Sequence, residues 1–225
     1  MSELIQFSLE GKVARLTLDD GKANALSPAM IDAIHQGLDR AESEAAILVI
    51  GGRDGFFSAG FDLRIIESDA VAAEAMVASG GELLLRLYHF PIPVLTLCTG
   101  HAIGAGALLL LAADYRLAVD QPYKVVLNEV SAGFPLPGFA VELARDRLAA
   151  RAITQALLCS YPFQPAGARE AGYLDEVVPV SMVDATLNGL LQYFGSLDGD
   201  AFADAKLRLR GVIKARIAEH QPIRF

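Results

Sequence analysis

The amino-acid sequence predicts an α/β fold that is built on a parallel sheet and followed by a helical C-terminal part. Residues 47–50 form an uninterrupted aliphatic run that ends at two glycines, and residues 93–98 repeat the pattern. Such runs are typical of strands that are buried on both faces of a sheet. Helical spacing dominates after Pro137. We therefore expect residues 1–180 to form the α/β core and residues 181–225 to form the helical addition.

The first predicted elements are a β-hairpin and a helix. Apolar residues alternate over 5–9 and again over 16–18, on the two sides of the short polar segment 10–12. This pattern favours two paired strands. Residues 27–28, Ser-Pro, combine a favoured helix cap with a favoured first helical residue. Apolar residues then recur at helical spacing as far as Ala41, which predicts an amphipathic helix.

The remaining predicted elements follow the two aliphatic strands. A glycine-rich segment at 100–106 leads into a helix that ends near Ala113. Residues 116–119 and 125–127 are expected to form two further strands. The last predicted elements are a short strand near 176–178 and helices at 139–148, 150–158, 183–194 and 201–218.

Composition and charge exclude several classes of protein. The chain has 225 residues, of which 53% are hydrophobic and 20% are charged, so a disordered chain is excluded. Its 19 basic and 27 acidic residues give a net charge of −8, which argues against nucleic acid as a partner. Two cysteines cannot form a disulfide framework. We expect no metal site, because no group of residues has the spacing of metal ligands.

The sequence also predicts a protein that is neither secreted nor embedded in a membrane. The N-terminal residues do not have the basic and apolar pattern of a leader peptide. The longest apolar run, at 102–113, is about half of the ~20 residues that a membrane span needs. We therefore expect a soluble, cytoplasmic protein with no membrane partner.

Two segments rich in small residues, 55–63 and 100–108, lie at strand-to-helix transitions. Small residues let a ligand approach the main chain closely. A free backbone N–H at the start of a helix points outward with the helix dipole behind it. Two such N–H groups aimed at one point form an oxyanion hole. The alternative explanation is that the glycines and alanines let a helix pack closely on the sheet.

An ordered set of motifs over residues 5–180 resembles the crotonase (enoyl-CoA hydratase/isomerase) superfamily. The motifs are Asn24-Ala25-Leu26, residues 57–63, residues 91–98 with Gly104-Ala105-Gly106, Ala113-Asp114-Tyr115-Arg116, Leu127-Asn128-Glu129-Val130 and residues 167–179. Each motif alone is weak, whereas the ordered set is specific. The resemblance implies the crotonase (ClpP-like) ββα spiral, an acyl-CoA thioester as substrate, and a homotrimer or a dimer of trimers.

The resemblance also implies which residues carry the chemistry. The backbone N–H groups of Ala59 and Ala105 would hold the thioester oxygen while it becomes an enolate. Hydratases of the family use two glutamates. One of these positions matches Glu129, whereas the other is Leu108, which cannot transfer a proton. One carboxylate is enough to remove a proton from C2 and return it at C4. The resemblance therefore favours a Δ3,Δ2-enoyl-CoA isomerase.

Two other functions remain open at this point. The first is an enoyl-CoA hydratase or another crotonase-type enzyme that acts on acyl-CoA. The second is a catalytically silent paralogue that binds CoA. No cofactor is expected, because CoA enters as part of the thioester substrate.

The resemblance implies a CoA site near the first small-residue segment. Local cations must offset the acidic charge of the chain to hold the phosphates of CoA. The acyl pocket is expected to be walled by residues 65–80, and the basic residues of 206–214 are a weaker candidate for phosphate contact. The substrate-binding candidates are Lys22, Ala23, Ala25, Phe61, Asp62, Leu63, Arg64 and Leu108.

The C-terminal part is the predicted site of self-association. Its apolar stripe consists of Leu187, Leu190, Leu191 and Phe194. We expect this stripe to contact neighbouring subunits in the homotrimer. The alternative is that the stripe packs on the core of its own chain.

Overall fold

The computed structural model describes residues 4–225, and its main feature is a six-stranded sheet. The first strand pair is the predicted antiparallel hairpin, and every other neighbouring pair is parallel. The strands, in spatial order, are β1 (Ile5–Glu10), β2 (Val13–Leu18), β3 (Ile47–Gly52), β5 (Val94–Cys98), β7 (Tyr115–Val119) and β9 (Glu176–Val178). The predicted parallel sheet is confirmed, with both aliphatic runs near its centre.

A second, three-stranded parallel sheet consists of β4 (Gly55–Ser58), β6 (Gly100–Ile103) and β8 (Val125–Val126). The first two of these strands lie in the small-residue segments 55–63 and 100–108, where the sequence analysis predicted no strand. They are held by backbone pairing rather than by an apolar run. A Cβ atom on Gly100 would overlap the backbone of Gly55. The absence of a side chain at Gly100 therefore permits the pairing. It also means that the strand lacks the apolar pattern by which strands are predicted from sequence.

Ten α-helices and two short 3₁₀ turns surround the sheets within residues 4–225. The predicted cap is present, since Ser27 Oγ accepts a hydrogen bond from the N–H of Met30 at 3.2 Å. The helices are α1 (Pro28–Glu44), α2 (Leu63–Ser68), α3 (Ala70–Tyr88), α4 (Ala105–Ala112), α5 (Gly138–Arg147), α6 (Ile153–Leu157), α7 (Pro165–Ala171), α8 (Val183–Gly195), α9 (Gly199–Arg210) and α10 (Ile213–Ala218).

Two helical predictions differ from the structure. Residues 70–88 form the longest described helix, α3, which the sequence analysis left without an assigned element. The single helix predicted over 201–218 is two helices, because α9 ends at Arg210 with Gly211 as its cap and α10 begins at Ile213. Within residues 4–225, no helix has both the length and the apolar character needed to cross a bilayer.

The apolar stripe of α8 packs on the core of its own chain. Leu187 is buried, and Leu190, Leu191 and Phe194 are partly buried against the same core. The contacts of α8 include β3 and β7. The stripe is therefore occupied within the chain, which was the alternative interpretation. The homotrimer and the division at residue 180 remain predictions.

Two basic residues of α9, Lys206 and Arg210, anchor the helix and do not face solvent. Lys206 Nζ lies 2.6 Å from Asp114 Oδ2, and Arg210 Nη1 lies 2.9 Å from Asp114 Oδ1. Asp114 Oδ2 also accepts a hydrogen bond from the N–H of Val94 at the start of β5. All three charged side chains are buried and paired, so Lys206 and Arg210 are not available as phosphate ligands. The suggestion that these two residues contact phosphate was therefore wrong.

Candidate active site

The two small-residue segments meet at Gly60. This residue has a φ of +82°, and a Cβ atom there would lie 2.6 Å from the carbonyl oxygen of Ile103 and 3.1 Å from the nitrogen of Ala105. Only glycine combines this backbone conformation with such close contact. The chain that leaves β4 therefore lies directly against the start of α4.

Asn24 ties the first segment to the hairpin strand β2. Its Nδ2 donates to the carbonyl oxygens of Leu18 at 2.9 Å and of Phe57 at 3.2 Å. Its own carbonyl oxygen accepts a hydrogen bond from Ser58 Oγ at 2.7 Å. These buried hydrogen bonds fix the direction of the main chain just before Gly60, so the N–H groups that follow are held in place before any ligand arrives.

The N–H of Ala59 is not available to a ligand. It donates a hydrogen bond to the carbonyl oxygen of Ala23 at 2.9 Å. The prediction that Ala59 supplies an oxyanion-hole donor was therefore wrong, because an N–H that points to its own backbone cannot also point into the site. The N–H of Phe61, two residues later, has no acceptor among residues 4–225.

Ala105 does present a free N–H. It is the first residue of α4, and within the described chain no group accepts a hydrogen bond from its nitrogen. The first N–H groups of a helix have no partner inside the helix and carry the positive end of its dipole. Since Gly60 lies against Ala105 and precedes Phe61, the free N–H groups of Phe61 and Ala105 belong to adjacent pieces of backbone.

Glu129 lies beside the start of α4. A Cβ atom on Gly104, which has a φ of +53°, would lie 3.4 Å from Glu129 Oε1 and 3.1 Å from Asn128 Oδ1. Burial raises the pKa of the Glu129 carboxyl, although a backbone hydrogen bond opposes the rise. Glu129 Oε2 is buried and has no hydrogen-bond partner among residues 4–225. A carboxylate in this environment is more basic than one in water and is suited to proton transfer.

Leu108 lies one turn along α4 from Ala105. Its N–H donates to the carbonyl oxygen of Gly104 at 3.2 Å, and its side chain is buried in the core. Glu129 therefore lies next to the start of α4, and Leu108 follows one turn later in the same helix. Within residues 4–225, no group of His, Cys, Asp and Glu side chains is arranged to hold a metal ion.

Four of the predicted CoA-binding residues surround one small cavity of about 160 Å³, namely Lys22, Ala25, Asp62 and Arg64. Asp62 caps α2 by accepting a hydrogen bond from the N–H of Arg64, and the Arg64 guanidinium lies 2.7 Å from the same carboxyl group. The hydrogen bonds from Arg64 hold the pKa of Asp62 below its usual value. Arg64 is mostly exposed at 81%, so one face of its guanidinium remains open to an anion.

Other predicted residues contribute backbone rather than side chains. Ala23 accepts the hydrogen bond from Ala59, and Leu63 is the half-exposed first residue of α2. Phe61 has a second feature that the sequence analysis missed. A Cβ atom on Gly80 of α3 would overlap its ring. The sequence contained one indication of this contact, because a large aromatic residue, Phe61, directly follows Gly60 in a segment rich in small residues.

One family profile covers most of the chain. The profile described as enoyl-CoA hydratase/isomerase matches residues 8–209. The chain belongs to the enoyl-CoA hydratase/isomerase family. The predicted resemblance is confirmed, and the two sheets with their surrounding helices form a crotonase fold.

Solved and curated members of the enoyl-CoA hydratase/isomerase family agree with this assignment. A crystal structure of a family protein from Pseudomonas syringae has a TM-score of 0.93 and 38% identity, covering 96% of this chain and 94% of that one. The human mitochondrial enoyl-CoA delta isomerase 1 is 27% identical over 91% of this chain. A probable enoyl-CoA hydratase from Bacillus subtilis is 32% identical over 60% of this chain. These matches span 70% of the human protein and 54% of the bacterial one.

Gly60→Ala tests the contact between the two small-residue segments, 55–63 and 100–108. The added methyl group would force apart the backbones of Gly60 and Ala105, so we expect a loss of catalytic rate together with about 1–3 kcal/mol of stability. The matched control is Gly11→Ala. Gly11 also has a positive φ, of +61°, but no atom of the described residues outside its chain neighbours lies within 4 Å of the added atom.

The two glycine variants are compared by thermal unfolding and by turnover of an enoyl-CoA substrate. Both should lose stability, whereas only Gly60→Ala should lose activity. Equal activities in the two variants would show that the contact at Gly60 has no part in the site.

Proposed function

We propose that the protein is a Δ3,Δ2-enoyl-CoA isomerase whose oxyanion hole consists of the N–H groups of Phe61 and Ala105. The proposal rests on two unpaired donors on adjacent backbone, next to a buried carboxylate. Thioester oxygen accepts hydrogen bonds from both donors. The oxygen gains negative charge when the α-carbon loses a proton, so the donors stabilise the enolate more than the substrate.

Glu129 is the proposed base. Its carboxylate removes a proton from C2 of a 3-enoyl-CoA, and the electron pair moves into a dienolate on the thioester oxygen. The same carboxyl group, now protonated, returns the proton at C4. The double bond moves to C2–C3, and Glu129 ends the cycle ionised. The raised pKa of Glu129 supports this role, because a base works best when its pKa is close to the working pH.

Leu108 favours isomerisation over hydration. Addition of water requires one group to activate the water and another to handle the second proton, and the side chain one turn after Ala105 is apolar. A buried leucine at this position also keeps water away from the dienolate. The observation that carries the isomerase proposal is a single buried carboxylate next to the start of α4, with a leucine and not a second carboxylate one turn along that helix.

Enoyl-CoA hydratase is the second candidate. It is favoured by the Bacillus subtilis relative, whose name is that of a probable enoyl-CoA hydratase. A hydratase would need a second proton-transfer group in place of Leu108. Wild-type protein assayed with 3-enoyl-CoA and 2-enoyl-CoA side by side separates the two functions, since an isomerase converts the first substrate and hydrates the second slowly. Exchange of the α-proton of an acyl-CoA with solvent separates both from a silent CoA-binding paralogue.

Leu108→Glu is expected to raise the ratio of hydration to isomerisation by about 10²-fold, at the lower end of what a positioned acid or base supplies. The new carboxyl group adds the missing proton-transfer group. Its burial also lowers the stability of the fold, because a carboxylate loses hydration there. The ratio is measured from initial rates on the two substrates.

The matched control is Leu108→Gln. The glutamine side chain is nearly the same size as glutamate and has no carboxyl group. We expect it to leave the ratio close to that of the wild type. A ratio raised as much by glutamine as by glutamate would show that access of water, and not proton transfer, separates the two reactions.

We propose Lys22 and Arg64 as contacts for the phosphates of CoA, because both line the cavity beside Asp62 and Arg64 is mostly exposed.

We also propose that the protein acts as a homotrimer or a dimer of trimers. Exposed apolar side chains on α8 and α9, at Tyr193, Leu207 and Leu209, support self-association. No further cofactor takes part in the proposed reaction.

A further inference from the structure

Two buried polar atoms near the site have no hydrogen-bond partner within the described chain. They are Glu129 Oε2 and the hydroxyl oxygen of Tyr173. Tyr173 is completely buried. An unsatisfied buried polar group typically costs about 1–3 kcal/mol. A carboxylate oxygen only accepts hydrogen bonds, whereas a phenol donates one, so these two atoms are complementary to each other.

The fold brings Tyr173 close to the strand that precedes Glu129. Tyr173 follows α7 directly after Gly172, and its N–H donates to the carbonyl oxygen of Ala168 at 2.8 Å. Its ring packs on that of Phe163 with centroids 5.6 Å apart. Phe163 in turn exchanges two backbone hydrogen bonds with Val125, at 2.9 and 3.0 Å. Val125 begins β8, and the chain reaches Glu129 just after that strand ends.

The electrostatics agree with this geometry. Burial and then the charge of Glu129 raise the pKa of the Tyr173 hydroxyl, so the phenol stays protonated and remains a donor. These are the two causes that act on Tyr173. Burial and a backbone hydrogen bond are the causes that act on Glu129. Among residues 4–225, no third charged group shifts either side chain.

We propose that Tyr173 is a positioning residue for the catalytic base, whose hydroxyl donates a hydrogen bond to one buried water that in turn donates to the Glu129 carboxylate. This inference rests on the proposed role of Glu129. The bridging water satisfies both orphaned atoms at once, holds the carboxylate in one orientation and stabilises its charged form. Burial alone would make Glu129 protonated at a higher pH, and Tyr173 limits that effect.

Tyr173→Phe removes the donor and keeps the ring. The Glu129 carboxylate then loses the group that stabilises its charge, so its pKa rises. Because the base must be ionised to act, the acidic limb of the pH profile of kcat/KM moves to higher pH. We expect a shift of about 1–2 pH units, the size of one hydrogen bond to a charged group. The rate on the alkaline plateau should change much less than the rate at low pH.

Tyr123→Phe is the matched control. Tyr123 is also a buried tyrosine, and its hydroxyl contacts the carbonyl oxygen of Cys98 at 3.4 Å. This variant should leave the acidic limb where it is in the wild type. A second readout is independent of turnover: the ¹³C NMR titration of the Glu129 carboxyl carbon in the ligand-free protein, assigned with the Glu129→Gln variant, should shift in the same direction.

An unchanged or downward-shifted titration of Glu129 in Tyr173→Phe would overturn the inference, as would an equal upward shift in Tyr123→Phe. The proposed function fails separately. If Glu129→Gln kept full isomerase activity, Glu129 would not be the base, whatever the titration of its carboxyl group showed.

Discussion

Glu129→Gln is expected to lower the rate of double-bond isomerisation by about 10²- to 10⁴-fold, the usual contribution of a positioned acid or base. Glutamine keeps the shape of the side chain and cannot take the proton from C2. The variant should fold at least as well as the wild type at neutral pH, because it removes a buried charged group. The measurement is kcat on a 3-enoyl-CoA, together with the affinity for a CoA thioester.

Glu170→Gln is the control for loss of one carboxylate, since Glu170 is exposed on α7. It should leave kcat unchanged, and both variants should bind the thioester as the wild type does. Undiminished turnover in Glu129→Gln would mean that another group removes the proton.

Ala105→Pro is expected to lower kcat by roughly 10²- to 10³-fold, the cost of one oxyanion-hole donor. Proline has no N–H, and its ring would occupy the space in front of the nitrogen. The helix itself tolerates the change, because Ala105 is the first residue of α4 and proline is favoured at that position. Far-UV circular dichroism and thermal unfolding establish that the variant is folded before its kinetics are compared.

Ala105→Gly is the matched variant for this experiment. It alters the same residue and keeps the backbone N–H, so its activity should stay near that of the wild type. A folded Ala105→Pro protein with full activity would exclude the N–H of Ala105 from the oxyanion hole.

The sequence was sufficient for the elements that apolar patterns define. The runs at 47–50 and 93–98 became β3 and β5, because aliphatic residues buried on both faces leave a continuous signal. It was not sufficient for β4 and β6. These strands contain glycines whose purpose is close backbone contact, and that contact exists only in the folded chain.

The same distinction separates the site residues. The positions of Glu129 and Ala105 follow from ordered motifs, and the structure brings them to one end of α4. The direction of a backbone N–H depends on tertiary hydrogen bonds. Ala59 was therefore predicted as a donor, although its N–H is used by Ala23, and Phe61 was recognised only from the folded chain.

The close contacts at Gly60 and, between β4 and β6, at Gly100 are made by backbone packed on backbone, whereas the close contact at Gly80 of α3 is with a side chain, the ring of Phe61. Substitutions are therefore tolerated differently at these two kinds of contact. At Gly60 and Gly100 every substitution adds atoms where the neighbouring backbone leaves no room. Along α3 the close contact is with a side chain: a Cβ atom on Gly80 would overlap the ring of Phe61 and not the backbone that carries the proposed donors. In the proposed isomerase, substitutions along α3 would therefore change the space around the Phe61 ring, whereas a substitution at Gly60 would move the backbone of the oxyanion hole.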